Sequence, residues 1–249
     1  LFRLGSLEIT SFGVLVALGA ALGLLLFRRE LGRSGIELGV CTDIAVLAVL
    51  GGLAGAKLLY VGEHWAEPLT DTLLSRGGMS WFGGLVGGVV TGIAGIAWKR
   101  LPLTAMLAAG APALALGPAV GRIGCFLVGD DYGPPTDLPW GVAFPNGLPP
   151  TTERVHPAQL YEAALLFPLA WLLVRARRRG MADRAVFGWY LAMAGGIRYV
   201  IESVRVNVAV LAGLTMAQLF SIGAVVLGLT LVATATGKGR AEALSSRRP

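Results

Sequence analysis

Three basic residues stand inside otherwise apolar stretches: Lys57, Arg122 and Arg198. An ionisable group in an apolar span is costly, which makes it a functional candidate by default. Arg198 and Glu202 are four residues apart and share one face of a helix. Arg205 continues that face three residues on, and Arg122 comes just before Gly124 and Cys125. A guanidinium matches a phosphate through two parallel hydrogen bonds. Two arginines and a lysine near lipid headgroups would make an anion site, and the expected anion is a phospholipid phosphate. Two plainer readings stand beside it. Arg198 and Glu202 form an internal pair that only fixes helix packing, or Lys57 snorkels to the headgroups.

The elements that must position these groups are membrane helices. The chain has 249 residues, 55% hydrophobic and 14% charged, against about 25% charged in soluble domains. A span needs roughly 20 mostly apolar residues. Seven stretches meet or approach that: 8–27, 40–62, 81–98, 103–128, 158–175, 185–203 and 209–234. The expected fold is an all-α integral membrane protein, a bundle of about seven transmembrane helices forming a single domain over 1–249. Runs such as Gly51-Gly52-Leu53-Ala54-Gly55-Ala56 and Gly83-Gly84-Leu85-Val86-Gly87-Gly88 let membrane helices approach closely. The first apolar run reads as a retained anchor, not a cleavable signal.

Orientation follows from the basic residues between spans. One set of loops and the tail hold fourteen Lys and Arg, and the alternate set holds four: Arg3, Arg76, Arg154 and Arg205. The expectation is an outer N-terminus and a cytoplasmic C-terminus. Lys57, Arg122 and Arg198 with Glu202 then all fall toward the outer ends of their segments. The stretch 129–157 is rich in Pro and Gly and carries Tyr132, Trp140 and Phe144. It reads as an ordered outer arm, with a plain hydrophilic connector as the alternative. The net charge of +6 fits topology signals better than nucleic-acid binding. Cys41 and Cys125 are not expected to pair. His64 reads as an exposed interfacial residue that could alternatively reach the site, and His156 as a cap for the fifth span. No nucleotide loop, metal cluster or redox pair is present, so no cofactor is expected. A secondary transporter would place its ionisable residues at midplane instead.

The stretch Gly121-Arg122-Ile123-Gly124-Cys125-Phe126-Leu127-Val128-Gly129-Asp130-Asp131-Tyr132-Gly133 resembles the signature of the prolipoprotein diacylglyceryl transferase family. Pro135-Thr136-Asp137-Leu138-Pro139-Trp140-Gly141-Val142 and His156-Pro157-Ala158-Gln159-Leu160-Tyr161-Glu162 resemble it too. So do Gly77-Gly78-Met79-Ser80 before Gly83-Gly84-Leu85, Arg198 with Glu202, and Thr215-Met216-Ala217-Gln218. The resemblance implies seven helices in the plasma membrane of a bacterium. It implies transfer of a diacylglyceryl group from phosphatidylglycerol to the lipobox cysteine thiol of a preprolipoprotein at the outer face, with glycerol phosphate leaving.

On that resemblance Arg122 and Arg198 stabilise the leaving phosphate and Glu202 orients an arginine. Lys57, Asp130, Gly124 and Gly133 complete the phosphatidylglycerol site, the glycines letting the chain pass close to the headgroup. The chain departs from the family pattern at Phe82 (usually histidine), Cys125 (asparagine), Phe12 (tyrosine) and Ala194 (tyrosine). Asp130 replaces a glutamate and Lys57 an arginine. The arginine scaffold is kept, while several hydrogen-bonding and proton-accepting groups are not. The alternative is therefore a divergent paralogue that binds phospholipid with an altered acceptor or lost catalysis.

Overall fold

The computed structural model describes residues 2–4, 7–74, 79–205, 207 and 209–245. Arg76, Gly77, Gly78, Arg247 and Arg248 lie outside the described residues. The elements run β1 (Phe2–Leu4), β2 (Leu7–Ile9), α1 (Ser11–Gly32), α2 (Leu38–Glu63), α3 (Leu69–Leu74), α4 (Trp81–Trp98) and α5 (Leu103–Val128). There follow β3 (Val142–Phe144), β4 (Thr151–Val155), α6 (Ala158–Arg178), α7 (Asp183–Glu202) and α8 (Met216–Ser245). Each apolar stretch of the sequence lies largely within a helix. Among the described residues five helices are long and apolar enough to cross a membrane: α1, α2, α5, α6 and α8. α4 is apolar but shorter, and α7 carries Asp183, Arg184, Arg198 and Glu202 along its 20 residues.

Several boundaries differ from the expectation, for local reasons. The first helix begins at Ser11 and not near residue 8, because β2 runs to Ile9 and the Thr10 hydroxyl accepts from the Gly13 N–H at 3.0 Å. That is an N-cap bond. The last helix begins at Met216 and not at 209, because a tight turn precedes it with Ala212 and Gly213 at positive φ. Thr215 and Gln218 then form a reciprocal cap. Thr215 Oγ1 accepts from Gln218 N at 3.2 Å, and Gln218 Oε1 accepts from Thr215 N at 3.0 Å. This is a capping box. The fold is mostly helical but not purely so. β1 pairs with β2 and β3 with β4, both antiparallel.

The chain forms two compact units, one of residues 28–106 and one of 1–27 with 107–249. In the first, α2 and α4 pack through glycine. A Cβ on Gly83 would overlap the Gly55 carbonyl oxygen and stand 2.6 Å from Leu59 Cβ. One on Gly55 would stand 2.9 Å from Gly87 Cα. Thr91 crosses the same seam, its hydroxyl donating to Leu47 O at 3.0 Å. Backbone contact this close gains dispersion over many atoms, which is what holds helices together where lipid removes the hydrophobic drive.

In the second unit, Ala108, Ala111, Ala115 and Ala119 make a buried small-residue stripe on α5. It packs with Leu166, Leu169, Ala170 and Leu173 of α6 and Val186 of α7. α7 and α8 close on each other through Gly188 and Gly228, where a Cβ on Gly188 would stand 2.7 Å from Gly228 O. Cys125 is free and buried; the side chain of Cys41 lies outside the described residues.

Gly83→Leu should drive α2 and α4 apart. Overpacking costs about 1–3 kcal/mol or more, and a 3 kcal/mol loss lowers Tm by roughly 6–12 °C in a chain of this size. Gly92→Ala, whose Cβ would meet nothing nearer than 3.5 Å, should leave Tm nearly unchanged. Thermal unfolding in detergent micelles measures both, and equal Tm values would refute the glycine seam.

Candidate active site

The signature segment sits where α5 ends. Gly129 caps the helix at φ +67, its N–H bonding Cys125 O at 3.0 Å. Asp131 takes the left-handed conformation at φ +59, which a non-glycine residue adopts only when its surroundings demand it. Here they do. The Asp131 carboxylate accepts from Arg122 Nη1 at 2.8 Å with one oxygen and from Arg205 with the other. Arg122 is held a second time, its Nε forming an ion pair with Glu162 Oε2 at 2.8 Å. Glu162 comes from α6 and is 7% exposed.

A second arginine is fixed at the end of α7. Arg198 Nη2 forms an ion pair with Glu202 Oε2 at 2.7 Å. Glu202 is 3% exposed, and its other oxygen accepts from Asn207 Nδ2 and from Thr215 Oγ1, both at 2.8 Å. The cap of α8 therefore also anchors the carboxylate that holds Arg198. Arg198 lies within electrostatic reach of Glu162, Arg205 and Arg122, so α5, α6, α7 and the turn before α8 converge. Its Nη1 is buried and has no hydrogen-bond partner among the described residues.

The arm between α5 and α6 is ordered around this cluster. Gly133 N donates to His156 O at 2.8 Å, and His156 N returns to Pro134 O at 3.1 Å. The Tyr132 hydroxyl donates to Pro149 O at 2.6 Å, and Trp140 Nε1 to the Tyr161 hydroxyl at 2.8 Å. A Cβ on Gly133 would stand 2.8 Å from His156 Cβ, and one on Gly124 would stand 3.2 Å from Leu15 Cβ and 3.4 Å from Phe12 Cα. Both glycines thus admit neighbouring protein.

Arg122, Arg198 and Glu202 are brought together as the sequence suggested, and the pairing of Arg198 with Glu202 is real. Arg205 does not continue the α7 face, because the helix ends at Glu202; it turns instead to Asp131. His156 is not a cap. Pro157 holds the N-cap position, and the His156 ring lies 3.3 Å from the Tyr161 hydroxyl. Lys57 belongs to the other unit, where its Nζ stands 5.5 Å from the Tyr60 ring centre. His64 is half-buried there, stacked on Tyr60 at 4.1 Å, rather than exposed. Phe82 is half-buried near the start of α4, and Ala194 packs on the α5–α6 core. Asp131, Glu162, Asn207 and Thr215 are site residues that reasoning from the basic residues missed. Glu162 carried a usable signal, since it is a carboxylate inside an apolar segment.

Cys125, Asp130 and Asp131 place one ligand atom each within 4.8 Å of one another. By atom type this is a metal-ligand set. Two arginines already occupy Asp131, however, and their charge opposes a cation there. Burial pushes the Asp130 carboxyl above the usual range and Asp131 adds to the shift, while its hydrogen bond with the Cys125 thiol and the charges of Arg122 and Arg205 oppose it. The folded state therefore holds this proton to higher pH than the unfolded chain. Its contribution to stability is fully present below the unfolded value and is lost as pH rises through the folded value. Asp130→Asn should accordingly gain in Tm relative to wild type between pH 4 and pH 7.5. Parallel pH profiles in micelles would show that Asp130 titrates normally.

A family model described as prolipoprotein diacylglyceryl transferase matches residues 1–234. The chain is 35% identical over 242 residues to a protein of Geobacter sulfurreducens named phosphatidylglycerol–prolipoprotein diacylglyceryl transferase, with 92% of each chain covered. A protein of the same name from Clostridium tetani is 30% identical over 230 residues, covering 89% of this chain and 92% of that one. One from Synechococcus elongatus is 30% identical over 249 residues, covering 92% and 84%. The match takes in both ends of the arginine cluster and the arm between them, and the chain belongs to the prolipoprotein diacylglyceryl transferase family.

Proposed function

We propose that this protein transfers the diacylglyceryl group of phosphatidylglycerol to the lipobox cysteine thiol of a preprolipoprotein. The relatives that carry this name align along most of the chain, so a lipid-binding paralogue without transfer is not the favoured reading. The observation that carries the site is the buried Arg198 Nη1, which has no partner among the described residues. A buried, unsatisfied guanidinium nitrogen is costly, and a substrate phosphate oxygen would satisfy it.

In the reaction the acceptor sulfur, as thiolate, forms a C–S bond at the glyceryl carbon. The C–O bond to phosphate breaks, and glycerol phosphate departs with the electron pair. Negative charge grows on the phosphate as it leaves. Arg122 and Arg198 are the groups placed to meet it, Arg122 oriented by Glu162 and Asp131, Arg198 by Glu202. Donors fixed before the reaction need no reorganisation during it. Lys57, Asp130, Gly124 and Gly133 remain candidates for the lipid site. The reading includes seven spans in one membrane domain of a bacterial plasma membrane, N-terminus outside. The fourteen-to-four partition of basic residues supports that orientation.

Purified protein given labelled phosphatidylglycerol and a lipobox peptide should label the peptide. Arg198→Gln should lower kcat about 10²–10³-fold, the usual effect of removing one preorganised donor. Lipid binding without any peptide labelling by wild type would overturn the transfer reading.

Phe82 stands where the family pattern has histidine, and a phenyl ring cannot accept a proton. General-base help is worth about 10²–10⁴-fold. Phe82→His should recover part of that factor near neutral pH. Above the thiol pKa of about 8.5 the two forms should converge. An advantage that persists unchanged into alkali would show that the histidine acts otherwise than as a base.

A further inference from the structure

The turn from α6 into α7 carries five arginines between 175 and 184 and no lysine. Arg177 is used internally. Its Nη1 donates to Asp183 at 3.2 Å and its side chain is 8% exposed. Asp183 is the only acidic residue from 171 to 184, so that contact uses the local negative charge. Arg175, Arg178, Arg179 and Arg184 are exposed, and none of their side chains makes an ion pair or hydrogen bond among the described residues. Arg175 lies over the Trp171 ring, 5.5 Å from its centre, and Trp171 is itself 59% exposed. Exposed Leu172 and Met181 flank the cluster.

An exposed tryptophan one turn from a band of arginines is the pattern of a helix end at a membrane surface. All five basic residues of the turn are arginine. A guanidinium differs from an ammonium in presenting a planar fork that fits two phosphate oxygens at once. Gly180, at φ +75, lets the chain reverse so that Arg178 and Arg179 on one side of the turn and Arg184 on the other border the same bend. Basic clusters beside a membrane draw anionic lipid.

We infer that the α6–α7 turn is a binding site for phosphate-bearing anionic lipid headgroups, distinct from the Arg122–Arg198 cluster and independent of the transfer reaction. The ligand chemistry is a phosphate monoester or diester, with Trp171 at the level of the glycerol backbone.

The test uses the full chain in detergent micelles with Arg122→Ala, to weaken lipid binding at the other cluster. Binding of dioleoyl phosphatidic acid, dioleoyl phosphatidylcholine, inorganic phosphate and a polyglutamate peptide is followed by native mass spectrometry. Phosphatidic acid should bind well above phosphatidylcholine and free phosphate. Arg178→Gln with Arg179→Gln and Arg184→Gln should weaken it about 100-fold, near fivefold for each arginine removed. The corresponding triple lysine variant, which keeps the charge and loses the fork, should fall between. In otherwise wild-type protein the triple glutamine variant should keep its peptide-labelling rate. Unchanged phosphatidic acid binding in the glutamine variant overturns the site. Equal affinity of the lysine and arginine forms overturns recognition by the fork. Preferential binding of inorganic phosphate shows a free-anion site, and preferential binding of polyglutamate shows a docking surface for an acidic protein; either overturns the lipid assignment.

Discussion

One carboxylate shared by two guanidiniums organises the candidate site. Asp131 gives one oxygen to Arg122 and the other to Arg205. Asp131 itself reaches solvent, at 43% exposed, while the side chains of Arg122 and Arg205 are only 19% and 10% exposed, and a charge largely away from water is tolerated only when its partner is close and well aligned. Much of the local backbone conforms to that requirement. Asp131 accepts a left-handed φ to reach both arginines, and Gly129 just before it provides the preceding reversal. The arm then returns to the cluster through the paired Gly133 and His156 backbones, bringing in α6, whose Glu162 completes the shell of Arg122.

The second arginine follows the same rule with different parts. Glu202 is almost wholly buried and uses its oxygens on Arg198, Asn207 and Thr215. Thr215 is at once the cap of α8 and a donor to Glu202. A single hydroxyl therefore couples the start of the last helix to the orientation of an arginine one helix earlier. The close seam of α7 with α8 at Gly188 and Gly228 keeps that geometry short. A larger residue there would separate the helices that carry the two ends of the contact.

How much of this was legible in the sequence depended on the kind of signal. Helix existence was plain, because apolar runs of membrane length have few other solutions. The Arg198–Glu202 pair was legible from spacing alone. The starts of α1 and α8 were displaced, since Ile9 adjoins the first apolar run and hydropathy continues through 209–214, while Thr10 and the Thr215–Gln218 box set the true first turns. Capping chemistry overrides hydropathy at a helix end. The arm was expected to be ordered, and its β3–β4 pair was hidden by prolines that break any alternating pattern. Glu162 was legible as a carboxylate within an apolar segment, since the cost of a buried charge has no sign preference, whereas Asp131 lies in the Gly-rich segment after α5 and carries no hydropathy signal.

The pairing also explains why three arginines can sit together without forcing one another to lose charge. Asp131, Glu162 and Glu202 roughly match Arg122, Arg198 and Arg205 in number, so the empty cluster is near neutral. A lipid phosphate entering it would not find bare positive charge that water or any stray anion had already neutralised. It would find oriented N–H groups, among them Arg198 Nη1, which has no acceptor among the described residues. In a medium of low dielectric constant, fixed donors interact with developing charge much more strongly than in water. The carboxylates that seem to compete with the substrate for the arginines are then what makes the arginines useful: they hold the donors in place before the phosphate acquires its charge, and the bond to that charge strengthens as it leaves.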